Sequence, residues 1–290
     1  MIKMIASDMD GTLLDSEMHI SQENLDAIRY AESKGVEFVI ATGRNRTEAI
    51  APLEEAGIEC AMITLNGAEV FDKHGNSIFS APIAPETTHK VLDILTANGI
   101  YFEISTTKGV YSDSKEQRID KFAAHLAEVM PHLTYKMAIA MTVARLEFLP
   151  INFVPDLRDL VDREDMDVLK IIAFHQEGPA ILGPTAIQIE EMEDLVVSSS
   201  GLNNLEINNR AAQKGIAVTE VALDRNIDMS EVMTIGDNLN DLSMIKAGGV
   251  SFAMGNAAEA IKETAKYITT TNLEAGVGKA IRRAIDENLS

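Results

Sequence analysis

The sequence predicts an α/β protein: a Rossmann-like parallel-sheet core with helices on both faces, interrupted by an inserted α+β domain. Three observations carry the prediction. Short apolar runs alternate with helical patterns over the first third of the 290 residues, the same alternation returns over the last third, and the texture between them changes. Strands alternating with helices imply parallel pairing with both sheet faces covered.

Met4 to Ser7 form the first apolar run. Ser21 is placed to cap a helix whose apolar face holds Leu25, Ile28 and Ala31, and Gly35 ends it. VEFVIATGR follows as a β-branched and aromatic strand ending at Thr42-Gly43. The next helical pattern contains Pro52, which predicts a kink or a late start. AMITLNG is the third strand, and residues 68–80 read as a hairpin turning near DKHGN. In the last third, QKGIAVTEVALDRN reads as a helix, VMTIG as a buried strand, LNDLSMIKAG as a helix and GVSFAM as a strand. Val277, Ile281, Ile285 and Leu289 then mark an amphipathic terminal helix.

Between these segments YFEIST, GVYS, VLKIIAF and DLVVSSS read as strands separated by helices. The reading assigns 1–83 and 208–290 to a discontinuous core and 84–207 to the inserted domain. Prolines at 131, 150 and 155 leave Met130 to Met166 unassigned.

Composition narrows the function. Lys and Arg number 25 against 45 Asp and Glu, so the formal charge is 25 − 45 = −20. That argues against nucleic-acid binding and against docking on an anionic membrane surface. No apolar run is long enough to span a bilayer, and the first residues lack a signal-peptide pattern. The single cysteine, Cys60, excludes an intramolecular disulfide and suits a reducing, cytoplasmic setting. Beside a predicted strand, it reads as a core residue rather than a nucleophile. Oligomeric state leaves no mark in the sequence.

The chemistry concentrates where predicted strands end, the edge at which open parallel sheets bind ligands. Asp8-Met9-Asp10-Gly11-Thr12 follows the first strand, Thr42-Gly43-Arg44 the second, and Gly236-Asp237-Asn238-Leu239-Asn240-Asp241 a late one. Lys214 opens the helix before that late strand. Carboxylates converging without His or Cys form a hard-oxygen site suited to Mg²⁺, which would relieve the crowding of Asp8 and Asp10. Thr42 and Gly43 can offer a hydroxyl and backbone N–H groups to an oxyanion. Lys214 adds a compact cation. Such a set suits phosphoryl transfer, in which a carboxylate can be the nucleophile and a second carboxyl the acid and base. A calcium loop starting at Asp8 is excluded, because Leu13 and His19 stand where glycine and glutamate are needed. The late GVGK lacks the earlier glycine of a P-loop.

These motifs resemble the haloacid dehalogenase superfamily, specifically its Cof-type phosphatases. The matching residues are DMDGT at 8–12, TGR at 42–44, Lys214-Gly215, and GDNLNDLSM at 236–244 against a family pattern G-D-x-x-N-D-x-x-M. The resemblance implies Asp8 as nucleophile and Asp10 as general acid/base. It implies Mg²⁺ held by the Asp8 carboxylate, the Asp10 backbone carbonyl and Asp237, with Asp241 supporting the metal. The phosphoryl group would be bound by Met9, Thr42, Gly43, Lys214 and Asn240, and Arg44 and Asn66 are candidate substrate contacts. The substrate would be a small phosphorylated metabolite, such as a sugar phosphate or similar phosphomonoester. A phosphomutase and a phosphate-binding regulator are the alternatives. Ala211 and Ala212 depart from the Gly-Val that many relatives carry before the lysine.

Overall fold

The computed structural model describes residues 1–130, 133–145 and 151–289. The chain divides into two compact units, Met1–Ala81 with Ala211–Ser290, and Pro82–Arg210.

The first unit opens with β1 (Met4–Ser7), α1 (Gln22–Ser33), β2 (Glu37–Ala41), α2 (Arg46–Ala56), β3 (Ala61–Thr64), β4 (Glu69–Phe71) and β5 (Ser77–Ser80). Ser21 caps α1 by accepting from the Asn24 N–H. Asn45 caps α2 in the same way, so that helix starts without delay and carries Pro52 in its interior. The Asp72 carboxylate accepts from the N–H groups of His74 and Asn76 and closes the β4–β5 hairpin.

The second unit contains α3 (Pro85–Ala97), β6 (Tyr101–Thr106), β7 (Gly109–Ser112), α4 (Lys115–Val129), α5 (Tyr135–Arg145), β8 (Ile151–Phe153) and α6 (Arg158–Val161). It continues through β9 (Val168–Phe174), α7 (Pro179–Glu190), β10 (Leu195–Ser198) and β11 (Asn204–Asn209). Its sheet runs β10-β11-β9-β6-β7-β8. One face of that sheet buries Ile104, Ile171 and Ile207 against Val91, Leu92 and Leu95 of α3 and Leu182 and Ile189 of α7. The four strands expected here form, and α5, β8 and α6 occupy the stretch that the prolines obscured; positions 131 and 150 lie outside the described residues. Strand β11 has no counterpart in the sequence reading. Its alternate residues Asn204, Glu206 and Asn208 are polar yet buried, with Glu206 paired to Lys170 of β9 at 3.1 Å.

Returning to the first unit, the chain forms α8 (Lys214–Asp224), β12 (Val232–Gly236), α9 (Leu242–Ala247), β13 (Val250–Ala253), α10 (Glu259–Thr264), β14 (Tyr267–Ile268) and α11 (Gly276–Asp286). The sheet order is β14-β13-β12-β1-β2-β3-β4-β5. All neighbours from β14 through β3 are parallel, and β4 and β5 add an antiparallel edge. From β1 the chain first builds outward through β2 and β3, then resumes on the other side with β12. The reversal places a crevice beyond the carboxyl ends of β1 and β12.

Side-chain alternation explains the two layers. Ile5 of β1 joins a core with Ala27 and Ile28 of α1 and Val277, Ala280 and Ile281 of α11. Met4 and Ala6 face the opposite core, which holds Ala217, Val218 and Val221 of α8. Ile285 and Leu289 pack only partly buried against the first core. Cys60 is buried, and that burial pushes its thiol up to about 12. Among the described residues no helix is long and apolar enough to cross a membrane.

Asn24 ties these layers to the loop after β1. Its Oδ1 accepts from the Gly278 N–H at 2.8 Å, satisfying a first-turn donor of α11 that has no intrahelical partner. Its Nδ2 donates to the Leu13 carbonyl at 3.2 Å. Asn24→Leu leaves both groups buried and unpaired, and should lower stability by about 2–4 kcal/mol. Urea denaturation checks this; an unchanged midpoint would show that neither bond holds the layers.

Candidate active site

The loop after β1 begins with Asp8 at φ −67, ψ 164 and turns through Gly11 at φ +74. Gly11 is required twice over. Its backbone is left-handed, and a Cβ there would stand 2.6 Å from Asp237 Oδ2. The next residue, Thr12, is buried and donates from Oγ1 to Asp237 Oδ1 at 2.8 Å. The loops following β1 and β12 are thereby held together.

Asp241 organises the second loop. Its Oδ2 accepts from the N–H groups of Asp237 at 2.9 Å and Asn238 at 3.0 Å. Its Oδ1 accepts from Lys214 Nζ at 2.6 Å. The same Nζ donates to Asp8 Oδ1 at 2.7 Å, so one ammonium bridges two carboxylates. Lys214 is fully buried at the start of α8.

Burial alone disfavours the Lys214 ammonium, but Asp241 and then Asp8 outweigh it and hold its pKa above the ordinary lysine value. Burial first, and then the Asp241 charge, raise the Asp8 carboxyl well above its usual range, against the opposing pull of Lys214. Asp237 is pushed up to about 6 by burial and Asp241, with the Thr12 hydroxyl pulling the other way.

Carboxylate oxygens of Asp8, Asp237 and Asp241 all lie within 4.8 Å of one another. Three carboxylates share one buried ammonium, and that surplus of negative charge is what a divalent cation would offset. The donors are all hard oxygens, so the residues fit such an ion.

The loops after β2 and β3 complete the rim. Thr42 is buried, and its Oγ1 accepts from the Arg44 N–H at 3.2 Å. The Asn66 N–H donates to the Thr42 carbonyl at 3.0 Å. Asn240 Nδ2 donates to Asn66 Oδ1 at 3.2 Å, joining this loop to the one after β12. Gly67, at φ +101, lets the chain pass so near α8 that a Cβ would meet the Gln213 carbonyl oxygen at 2.7 Å. Asn66-Gly67 thus has a structural task as well as a place on the rim.

Asp8, Asp237, Asp241 and Lys214 are gathered into one cluster, and Thr42, Asn66 and Asn240 into the adjoining rim. Met9 is fully buried, and Gly43 follows Thr42 on the same loop. The Asp10 carboxylate points elsewhere, into the Arg44 guanidinium, with Nε to Oδ2 at 2.7 Å and Nη2 to Oδ1 at 2.5 Å. Arg44, expected to meet substrate, is engaged by Asp10. Thr12 carried no role in the sequence reading, although its place inside the DMDGT motif was a signal for one.

An α/β sheet with acidic loops and a buried lysine at its strand-order reversal has the makings of an enzyme core. The chain belongs to the haloacid dehalogenase-like hydrolase family, whose family profile matches residues 5–281. It is similar to phosphatase YwpJ of Bacillus subtilis (strain 168), with 32% identity covering 98% of this chain and 100% of that protein. It is also similar to 5-amino-6-(5-phospho-D-ribitylamino)uracil phosphatase YcsE of the same organism, 32% identical over 97% of this chain and 95% of that protein. The solved structure of a haloacid dehalogenase-like hydrolase from B. subtilis matches with a TM-score of 0.87 at 30% identity, covering 97% of this chain and 99% of that one.

Lys214→Met removes the cation and leaves the carboxylates uncompensated. The metal-free variant should lose about 3–5 kcal/mol at pH 7.5 in urea denaturation with chelator. Lys214 lowers both Asp8 and Asp237, so its loss raises them further. A carboxyl with a raised folded pKa contributes stability at low pH and loses it as pH rises through that value. The deficit should therefore shrink between pH 7.5 and pH 5. A deficit equal at both would contradict this charge balance.

Proposed function

We propose that the protein is a Mg²⁺-dependent phosphatase that hydrolyses small phosphorylated metabolites, sugar phosphates or similar phosphomonoesters, through an aspartyl-phosphate intermediate on Asp8. The observation that carries this reading is the 2.7 Å bond from buried Lys214 Nζ to Asp8 Oδ1, which fixes the carboxylate beside a cation at the strand-order reversal. Relatives named as phosphatases support the reaction class. One of them is named for a phosphorylated ribitylaminouracil, a small phosphomonoester.

In the proposed reaction an Asp8 oxygen attacks phosphorus and the bond to the ester oxygen breaks. Asp10 donates a proton to that leaving oxygen. Asp10 then takes a proton from water as the water attacks phosphorus, the Asp8–phosphorus bond breaks, and inorganic phosphate is released. Met9, Thr42, Gly43, Lys214 and Asn240 bind the phosphoryl oxygens, with the Lys214 ammonium and the rim donors meeting negative charge as it develops. Asp8, Asp237 and the Asp10 backbone carbonyl would hold Mg²⁺, with Asp241 supporting them from its bond to Lys214. When bound, the ion supplies positive charge that lessens repulsion between the carboxylates and the phosphoryl group. The inserted segment 84–207 serves as the cap, and Asn66 is a substrate contact on the rim. The reading includes a reducing, cytoplasmic location, for which the support is that the chain carries a single, buried cysteine.

Asp8→Asn should lower kcat for p-nitrophenyl phosphate by at least about a thousandfold while the thermal midpoint stays near wild type, because an amide is a poor nucleophile. Retention of a tenth of the wild-type rate would remove Asp8 from the nucleophile role. Excess chelator should abolish phosphate release from a panel of sugar phosphates, and Mg²⁺ should restore it. Full activity in chelator would overturn the metal dependence. Formation of isomeric sugar phosphates without phosphate release would replace hydrolysis by a mutase reaction.

A further inference from the structure

Asp10 is the exposed partner of its ion pair. Its side chain is 51% accessible, against 18% for Arg44. Arg44 is fixed on several sides. Its backbone N–H donates to Thr42 Oγ1 at 3.2 Å, and its carbonyl accepts from the Leu65 N–H at 2.9 Å. Its Nη1 donates to the Glu48 carbonyl at 3.2 Å. That carbonyl lies four residues before Pro52 inside α2, and proline has no N–H to return to it. The proline expected to disturb the helix therefore leaves an acceptor that anchors the guanidinium. The remaining edge, Nε and Nη2, grips both oxygens of Asp10 at 2.7 and 2.5 Å. A bidentate fork sets the plane and the place of a carboxyl group in a way that a point cation does not.

We propose that Arg44 is a positioning residue for the acid/base step: it holds the Asp10 carboxyl where a leaving oxygen can reach it. The proposal rests on the phosphatase reading given above. Because the same residue bonds Thr42 Oγ1 through its backbone, Arg44 ties the loop assigned to the phosphoryl oxygens to the group assigned to the leaving oxygen, Asp10 of the loop after β1. Proton delivery needs one Asp10 oxygen to turn from the fork toward the ester oxygen while the other stays on it. No charge or atom is gained or lost beyond the proton already assigned to Asp10.

The test is kcat/KM across aryl phosphates running from p-nitrophenyl to phenyl to p-methoxyphenyl phosphate, with Mg²⁺ present. This ratio reports the steps through the first irreversible one, and a poorer leaving group depends more on the acid. Asp10→Asn should stay within about tenfold of wild type on p-nitrophenyl phosphate and fall by about 10²–10⁴ on phenyl phosphate. Arg44→Gln should show the same steepened dependence, falling about 10- to 100-fold on phenyl phosphate and only a few-fold on p-nitrophenyl phosphate. Arg44→Lys, which keeps the charge without the fork, should lie between wild type and Gln. Steepening in Asp10→Asn with a uniform fall, or no fall, in both Arg44 variants would overturn the positioning role alone. A uniform fall is what lost substrate binding or a distorted fold gives. No steepening even in Asp10→Asn would overturn the acid/base assignment and this inference with it.

Discussion

Lys214 is fully buried, and a buried ammonium persists only where negative charge is near enough to offset lost hydration. Asp8 and Asp241 supply that charge at 2.7 and 2.6 Å. The dependence runs both ways. Without the lysine, two carboxylates would face each other in a site whose burial already raises Asp8 and Asp237. The architecture around the trio serves this arrangement. Parallel pairing of β12 with β1 brings the two acidic loops side by side, and Asp241 turns its second oxygen to the N–H groups of Asp237 and Asn238. One carboxylate thus joins the electrostatics of the site to the conformation of the loop bearing its neighbour.

A second coupling runs along the rim. Thr42, Asn66 and Asn240 form a chain of hydrogen bonds from the loop after β2 to the loop after β12. Thr12 closes the circuit on the other side through Asp237. The loops are therefore bonded to one another across the strand ends. Their mutual bonds supply the fixed geometry that electrostatic stabilisation of a developing charge requires.

Much of this was legible in the sequence because the core obeys simple rules. Met4 to Ser7 and Val232 to Gly236 are short apolar runs without a polar face, and buried parallel strands read that way. The acidic motifs stand directly after those runs, so topology alone brings them together. What escaped had a specific cause each time. Strand β11 alternates Leu205 and Ile207 with Asn204, Glu206 and Asn208, a pattern that fits a solvated edge as well as a buried one. Only the tertiary pairing of Glu206 with Lys170 reveals that its polar face is covered. Glu103 of β6 is buried likewise, bonded to Arg118 and the Tyr101 hydroxyl. Arg44 carried a charge whose partner no spacing rule could select among the nearby acids. The structure selects Asp10, and the reason lies in Pro52 and Glu48 on the following helix.

The central claim is that Asp8 forms a covalent bond to phosphorus. It is tested most directly by mixing the Mg²⁺-loaded protein with p-nitrophenyl phosphate, quenching in acid within milliseconds, and mapping the modified peptide by mass spectrometry. The account predicts one added phosphoryl group, located on the peptide beginning at Met4 and fragmenting to Asp8, appearing before steady release of phosphate and absent from the Asp8→Asn protein. Hydrolysis proceeding at the wild-type rate with no adduct at any quench time, or with the phosphoryl group on another residue, would contradict it.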